Sequence, residues 1–246
     1  MSGHSKWATI KHAKGAADAK RGQIFTKLIK EISIAARMGG GSLDGNPRLR
    51  TAILKARAAN MPRDNIERAV KKGTGELEGV NYEELVYEAY APGGVAIFIE
   101  VLTDNKNRAA ADIRNILTRA GGQLATTGSV SRLFKRLGVI TMDGEKYTED
   151  AVMEAALEGG AEDVSLSDGI IEVTSAPEDF ESVLNALQSK EFETMSAQIS
   201  MVADADVLLD NDATAKVLRL IDKLEENEDV QNVYSNLTIP EGFEGE

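Results

Sequence analysis

The chain has 246 residues, a hydrophobic fraction of 42% and a formal net charge of −12. Its length suits two or three domains with real apolar cores, and no run approaches the roughly 20 apolar residues of a membrane-spanning helix. Cysteine is absent, which excludes disulfides, thiolate metal sites and cysteine nucleophiles and fits a reducing cytoplasm, the expected location.

The charge is unevenly distributed. Residues 1–75 carry sixteen Lys and Arg against five Asp and Glu, a charge of +11, and the remaining residues carry twelve against thirty-five, a charge of −23. A basic N-terminal segment suits phosphate backbones, and an acidic remainder repels nucleic acid wherever contact is not intended. The first stretch of about 40 residues also has the composition of an organellar presequence. The pattern nevertheless runs on into capped helices and lacks an apolar secretion segment, so cleavage is not expected.

The opening "MSGHSKWATIKHAKGAADAKRGQIFTKLIK" holds both histidines, His4 and His12, and the single tryptophan, Trp7. From Ala17 to Met38 the spacing predicts a helix with Ile24, Phe25, Leu28, Ile29, Ile32 and Ala36 on its apolar face. Lys20, Lys27, Lys30 and Arg37 fall on the opposite side. The run Gly39 to Asn46 ends the helix, and Asn46-Pro47 provides a cap and first residue for a second one. There Arg48, Lys55 and Arg57 are expected to point outward. A third helix starts at Pro62 and ends before Gly73, with Lys71 and Lys72 in its last turn, where the helix dipole favours them. "GTGELEG", Gly73 to Gly79, marks the boundary of this small all-α domain.

The period then changes. "YEELVYEAYAPGGVAIFIEVLTDN" reads as two strands around Pro92-Gly93-Gly94, and "KNRAAADIRNILTRAGG" as a helix ended by Gly121. A strand pair is expected around "SRLFKRLGVITMDG". The helix "TEDAVMEAALEGG", a hairpin turning at Asp168-Gly169, the helix "APEDFESVLNALQSK" and the strand "FETMSAQISMVA" follow. The helix and strand that remain, "NDATAKVLRLIDKLEEN" and "DVQNVYSNLTI", cannot bury themselves alone and are expected to return to the sheet begun near residue 80. The expected architecture is therefore α+β: a basic helical domain at 1–79, a second domain at 80–132 plus 205–240, and an acidic third domain at 133–204 inserted in the second. Both α/β domains are expected to be of the ferredoxin-like sort. The tail "PEGFEGE" is expected to fray.

Motifs for catalysis are scarce. His4 and His12 are eight residues apart with no H-E-x-x-H and no third histidine, and no serine sits in a G-x-S-x-G elbow. "GTGELEG" follows a helix, whereas the dinucleotide fingerprint follows a strand, and no G-K-[ST] occurs. Acidic pairs such as Glu83/Glu84 read as solvated surface. Neither an enzyme nor a cofactor or metal is expected. Nucleic-acid binding has better support: a basic helix face and a lysine-studded arm supply phosphate contacts. Trp7 fits two roles, a stacking surface for a base or the plug of a small helical core. Lysines outnumber arginines in the arm and no base-reading helix is evident, which favours backbone and shape recognition. A second basic group, Lys106, Arg108, Arg114, Arg119, Arg132, Lys135 and Arg136, either extends this track or pairs with nearby acids.

"GHSKWATIKHAKGAADAKRGQIFTKL", "NPRLRTAILKARAANMPRDNIERAVKKGTG", "YEAYAPGGVAIFIEVLTDNKNR" and "GSVSRLF" resemble the YebC/PmpR family over essentially the whole chain. The resemblance implies a three-helix N-terminal domain followed by two α/β domains. It places the family's basic motif on His4, Ser5, Lys6, Trp7, Lys11, His12, Lys14, Lys20, Arg21 and Lys27, with Asn60, Met61 and Pro62 matching a further segment. Ala13 stands where a basic residue is common. Lys30 and Arg37 join this nucleic-acid-binding set from the helix face. The family contains probable transcriptional regulators and a mitochondrial translational activator, so ribosomal RNA and duplex DNA are both implied as partners. The flexible arm and the lack of a reading helix lean toward structured RNA and the ribosome. The acidic domains would then face ribosomal proteins, or act alone as a protein adaptor.

Overall fold

The structure is a computed structural model that describes residues 18–167, 169–240 and 242–243, with side chains from residue 22 onward. Three helices come first: α1 (Asp18–Gly39), α2 (Pro47–Ala58) and α3 (Arg63–Thr74). Ile32, Ala35, Ala36, Leu49, Ala52, Ile53, Ala56, Met61, Ile66 and Ala69 form their shared core. Asn46 organises the α1–α2 corner. Its side-chain oxygen accepts from the Leu49 amide at 3.0 Å, and its amide nitrogen donates to the carbonyls of Ala35 and Gly40, each at 2.8 Å. This is the N-cap that the Asn-Pro pair predicts.

Gly73 does not lie beyond α3, as the sequence suggests, but within it. A Cβ there would meet the Ser33 carbonyl oxygen at 2.3 Å and Ala36 Cβ at 2.7 Å, so the glycine serves the close crossing of α3 on α1. The left-handed cap is Gly75, at φ +83°.

The next sheet is antiparallel, with strand order β3-β1-β2-β9. It contains β1 (Glu83–Tyr90), β2 (Ala96–Thr103), β3 (Gln123–Leu124) and β9 (Val230–Ser235). A 3-10 turn at Pro92–Gly94 joins β1 to β2, with Gly93 and Gly94 at positive φ. Helices α4 (Lys106–Arg119) and α7 (Asn211–Glu225) bring Ile113, Leu117, Val217, Ile221 and Leu224 into one core with Ile97, Ile99 and Val230. Phe243 packs against that core too, so this part of the tail is held rather than frayed.

The second four-stranded sheet, also antiparallel, has the order β5-β6-β4-β7. Its elements are β4 (Phe134–Asp143), α5 (Glu149–Gly159), β5 (Asp163–Ser167), β6 (Ile170–Ser175), α6 (Phe180–Ser189) and β7 (Ser196–Ala203). This succession and strand order make a split βαβ arrangement. The expected strand pair around "SRLFKRLGVITMDG" is one ten-residue strand, β4, bonded to β6 on one side and β7 on the other. Gly138 is no turn. It leaves space that the ring of Phe180 and Ser175 Oγ fill, within 2.8 Å of where a Cβ would be. Asp168, at the expected hairpin turn, lies outside the described residues; Gly169 beside it has φ +76°. A two-residue parallel pair, β8 (Val207–Leu208) with β10 (Leu237–Thr238), completes the set of strands. The mixed α/β class and the helical N-terminal region thus follow the sequence reading.

Ala96, Phe98, Val130 and Phe134 form a fourth cluster with Met201, Ala203 and Tyr234, joining the two sheets. Phe98 lies 6.1 Å from Phe134 and 6.3 Å from Tyr234 between ring centroids. Beside it, the buried carboxylate of Glu88 accepts backbone N–H bonds from Gly128 at 2.7 Å, Val130 at 2.5 Å and Ser131 at 2.9 Å. Burial works against its charge, but these donors outweigh it and hold the carboxyl below the usual range. The "GSVSRLF" motif is therefore a loop gathered around one carboxylate of the first sheet.

Candidate nucleic-acid interface

Apart from Arg63, which is exposed and paired with Glu67 at 2.6 Å within α3, the described cations of the helical domain divide into two groups. The first faces the α/β body. Gln23, Lys27 and Lys30, one face of α1, reach the C-terminal end of α7. Lys27 Nζ donates to the Glu225 carbonyl at 2.6 Å, and Gln23 Nε2 to the Glu226 carbonyl at 3.3 Å. Lys30 Nζ donates to the Glu228 carbonyl at 2.8 Å and to Asp229 Oδ1 at 2.7 Å. A helix C-terminus carries partial negative charge and unpaired carbonyls, so cations are well placed there.

Asp229 is the centre of this contact. Its side chain is 4% exposed and that of Lys30 is 8%. Arg108 of α4 closes the other side, 2.9 Å from Asp229 Oδ2 and 2.7 Å from Asp104. Burial disfavours the Asp229 carboxylate, yet the bonds from Lys30 and Arg108 outweigh that and hold its carboxyl below the ordinary range. On α2, Arg48 bonds Glu31 of α1 and reaches Glu84 of β1 at 2.5 Å, and Arg50 lies 3.4 Å from Glu181 of α6.

Lys30 is therefore a correction to the sequence reading. It lies on the polar side of α1 as expected, but that side is packed against the acidic body, and its amine is buried in an ion pair. Lys27 is half-buried and is likewise engaged with α7. Arg37, by contrast, is exposed. Lys20 and Arg21 lie on the first turn of α1, with side chains outside the described set. His4, Ser5, Lys6, Trp7, Lys11, His12 and Lys14 lie outside the described residues altogether.

The second group faces solvent. Arg37, Lys55, Arg57, Arg68, Lys71 and Lys72 are exposed and form no ion pair among the described residues. Arg68, Lys71 and Lys72 stand at i, i+3 and i+4 on α3, opposite the buried Ile66 and Ala69, so they share one outward stripe. Lys71 and Lys72 also stand in the last turn of α3, where the helix dipole favours them, and Arg68 is not among the residues that the sequence points to. The i, i+3, i+4 spacing of three cations is the available signal; Asp64 and Glu67, at i−4 from Arg68 and Lys71, share that side of the helix, and Glu67 pairs with Arg63. Of the second basic group, Lys106 pairs with Glu83, Arg108 with Asp104 and Asp229, and Lys135 with Asp204. Arg114, Arg119, Arg132 and Arg136 are exposed and form no ion pair among the described residues.

Two clefts border this arrangement and meet at Tyr82. One, of about 650 Å³, is lined by Asp104, Asp112, Glu226, Glu228 and Asp229 with Lys30 and Arg108. The other, of about 380 Å³, lies between α1, the end of α3 and residues 75–82, and includes Arg37 and Lys72. No group of three or more His, Cys, Asp or Glu able to hold a metal ion occurs among the described residues. No described helix is long and apolar enough to cross a membrane.

Comparison with known proteins agrees over nearly the full length. The chain is 70% identical to a probable transcriptional regulatory protein of Treponema denticola, over 99% of each chain. It is 54% identical to a protein of the same description from Borreliella burgdorferi, over 98% of this chain and 99% of that one. The crystal structure of a conserved hypothetical protein from Aquifex aeolicus is 45% identical, with a TM-score of 0.81, covering 91% of this chain and 93% of the other. Residues 5–76 match the TACO1/YebC protein N-terminal domain and residues 82–237 the TACO1/YebC second and third domain. The chain belongs to the TACO1/YebC family.

Proposed function

We propose that this protein is a non-enzymatic regulator of gene expression that binds ribosomal RNA on the ribosome and assists translation, with its helical domain as the contact surface. The observation that carries the reading is the division of cations in that domain. Lys27, Lys30, Arg48 and Arg50 are engaged with other groups of the protein, whereas Arg37, Lys55, Arg57, Arg68, Lys71 and Lys72 face solvent in a chain whose net charge is −12. Lysine and arginine without a base-reading helix favour recognition of backbone and shape, as in structured RNA. The acidic body keeps a polyanion on the helical domain's outer side and offers its own surface to basic ribosomal proteins.

A second reading is binding of duplex DNA at promoters. The printed descriptions of the relatives from Treponema denticola and Borreliella burgdorferi as probable transcriptional regulatory proteins favour it. The test is a titration of ribosomal RNA fragments and duplex DNA against salt, with the variant Arg68→Gln/Lys71→Gln. RNA should bind more tightly than DNA, and the variant should lower the slope of log affinity against log salt by about 1–2. Tighter binding of a duplex promoter fragment would transfer the conclusion to transcription. An unchanged slope would remove the α3 stripe from the interface.

A further inference from the structure

"GTGELEG" lacks the setting of a dinucleotide fingerprint, yet this segment lines the more basic of the two clefts. Gly73, Gly75 and Gly79 all border it. Gly79 lets the chain lie against the stem of Lys72: a Cβ at Gly79 would be 3.0 Å from Lys72 Cβ. Gly73 brings α3 close to α1, which puts Lys72 and Arg37 on the same cleft from two different helices.

The lining has two chemistries. Arg37 and Lys72 are exposed cations with no ion pair among the described residues, and no carboxylate is among the described lining residues. Ile34, Leu77 and Val80 supply apolar wall, and Leu77 and Val80 are 44% and 55% exposed. Tyr82 closes one end. Lys30 Nζ lies over its ring, 5.7 Å from the centroid. A volume of about 380 Å³ lies at the small end of the range for ligand sites, enough for one nucleotide and too small for a duplex. The neighbouring cleft, beyond Tyr82, carries five carboxylates and repels phosphate.

We propose that the cleft between α1, α3 and residues 75–82 takes one unpaired nucleotide of a single-stranded RNA segment, its phosphate on Arg37 and Lys72 and its base against Leu77, Val80 and the Tyr82 ring. This rests on the RNA-binding reading and adds a subsite that the charge argument alone does not provide. Cations hold the phosphate, and the apolar wall and ring give a base a surface that any nucleobase can cover. A duplex keeps its bases stacked inside and reaches only the cations at the rim.

The test uses the full-length protein and a short oligouridylate carrying 4-thiouridine, cross-linked by long-wavelength light and mapped by mass spectrometry. The cross-link should map to residues 77–82. Arg37→Gln/Lys72→Gln should weaken the oligomer by about tenfold and abolish that cross-link. Lys55→Gln/Arg57→Gln, with equal loss of charge outside the cleft, should keep the cross-link in place. Neither pair is in a core, so thermal unfolding should be unchanged in both. Oligomer that binds but cross-links elsewhere would overturn the cleft and leave the RNA reading standing. Wild-type protein that retains neither the oligomer nor ribosomal RNA would overturn both.

Discussion

Removal of the Asp229 carboxylate should do more damage than removal of any single cation around it. In Asp229→Ala the Lys30 amine, 8% exposed, loses its only described carboxylate partner and keeps the Glu228 carbonyl at 2.8 Å and the Leu102 carbonyl at 3.4 Å. Stranding one member of a buried pair costs about 3–5 kcal/mol. Lys30→Met should cost less, about 1–3 kcal/mol, because Arg108 still neutralises Asp229 at 2.9 Å. The double variant should fall short of the sum, since it leaves no charge stranded: Arg108 is 47% exposed and keeps Asp104. For a chain of this size these losses correspond to a fall in Tm of roughly 6–20 °C for Asp229→Ala. Calorimetry measures that fall, and limited proteolysis reports whether residues 75–82, between the helical domain and the first sheet, become cleavable. Asp229→Ala that melts within about 2 °C of the wild type, with no new cleavage there, would refute the claim that this ion pair holds the two parts together.

Three further outcomes are expected. Glu88→Gln keeps one acceptor but turns an amide NH2 toward the backbone donors of Gly128, Val130 and Ser131. It should cost about 2–3 kcal/mol and raise amide exchange across residues 126–133, read by hydrogen–deuterium mass spectrometry. Gly73→Ala must push α3 off Ser33 and Ala36 and should lower stability by about 1–3 kcal/mol in chemical unfolding. The carboxyls of Asp229 and Glu88 are both held below their ordinary range. Their contribution is complete above the unfolded-state pKa of about 4 and is lost as the pH falls through the depressed folded values. Tm should therefore show no step from these groups between about pH 5 and 8, and Asp229→Ala should flatten the acid limb below that.

Local pattern made the helices and hairpins legible. Asn46-Pro47 and Pro92-Gly93-Gly94 act through neighbours a few residues away, and each is found where the sequence puts it. The return of the last helix and strand to the first sheet was legible for a different reason, since neither had another apolar partner. The errors involve distant partners. Lys30 is separated from Asp229 by 199 residues, and helical periodicity separates a helix's own apolar stripe from its polar side without saying what covers the polar side. The strand pair expected around "SRLFKRLGVITMDG" is a single strand, in which Gly138 makes room for Phe180 of a distant helix. The α3 stripe was visible in the spacing of Arg68, Lys71 and Lys72. Its signal is masked because the C-terminal turn of α3 already accounts for two of those cations.

Co-sedimentation of the purified protein with ribosomes, at low and moderate salt and with excess duplex DNA as competitor, tests the central claim most directly. Migration with the large subunit should survive the competitor, weaken with salt, and be unaffected by Lys30→Met but reduced by Arg68→Gln/Lys71→Gln. Protein left at the top of the gradient, or stripped from the ribosome by duplex DNA, would contradict it.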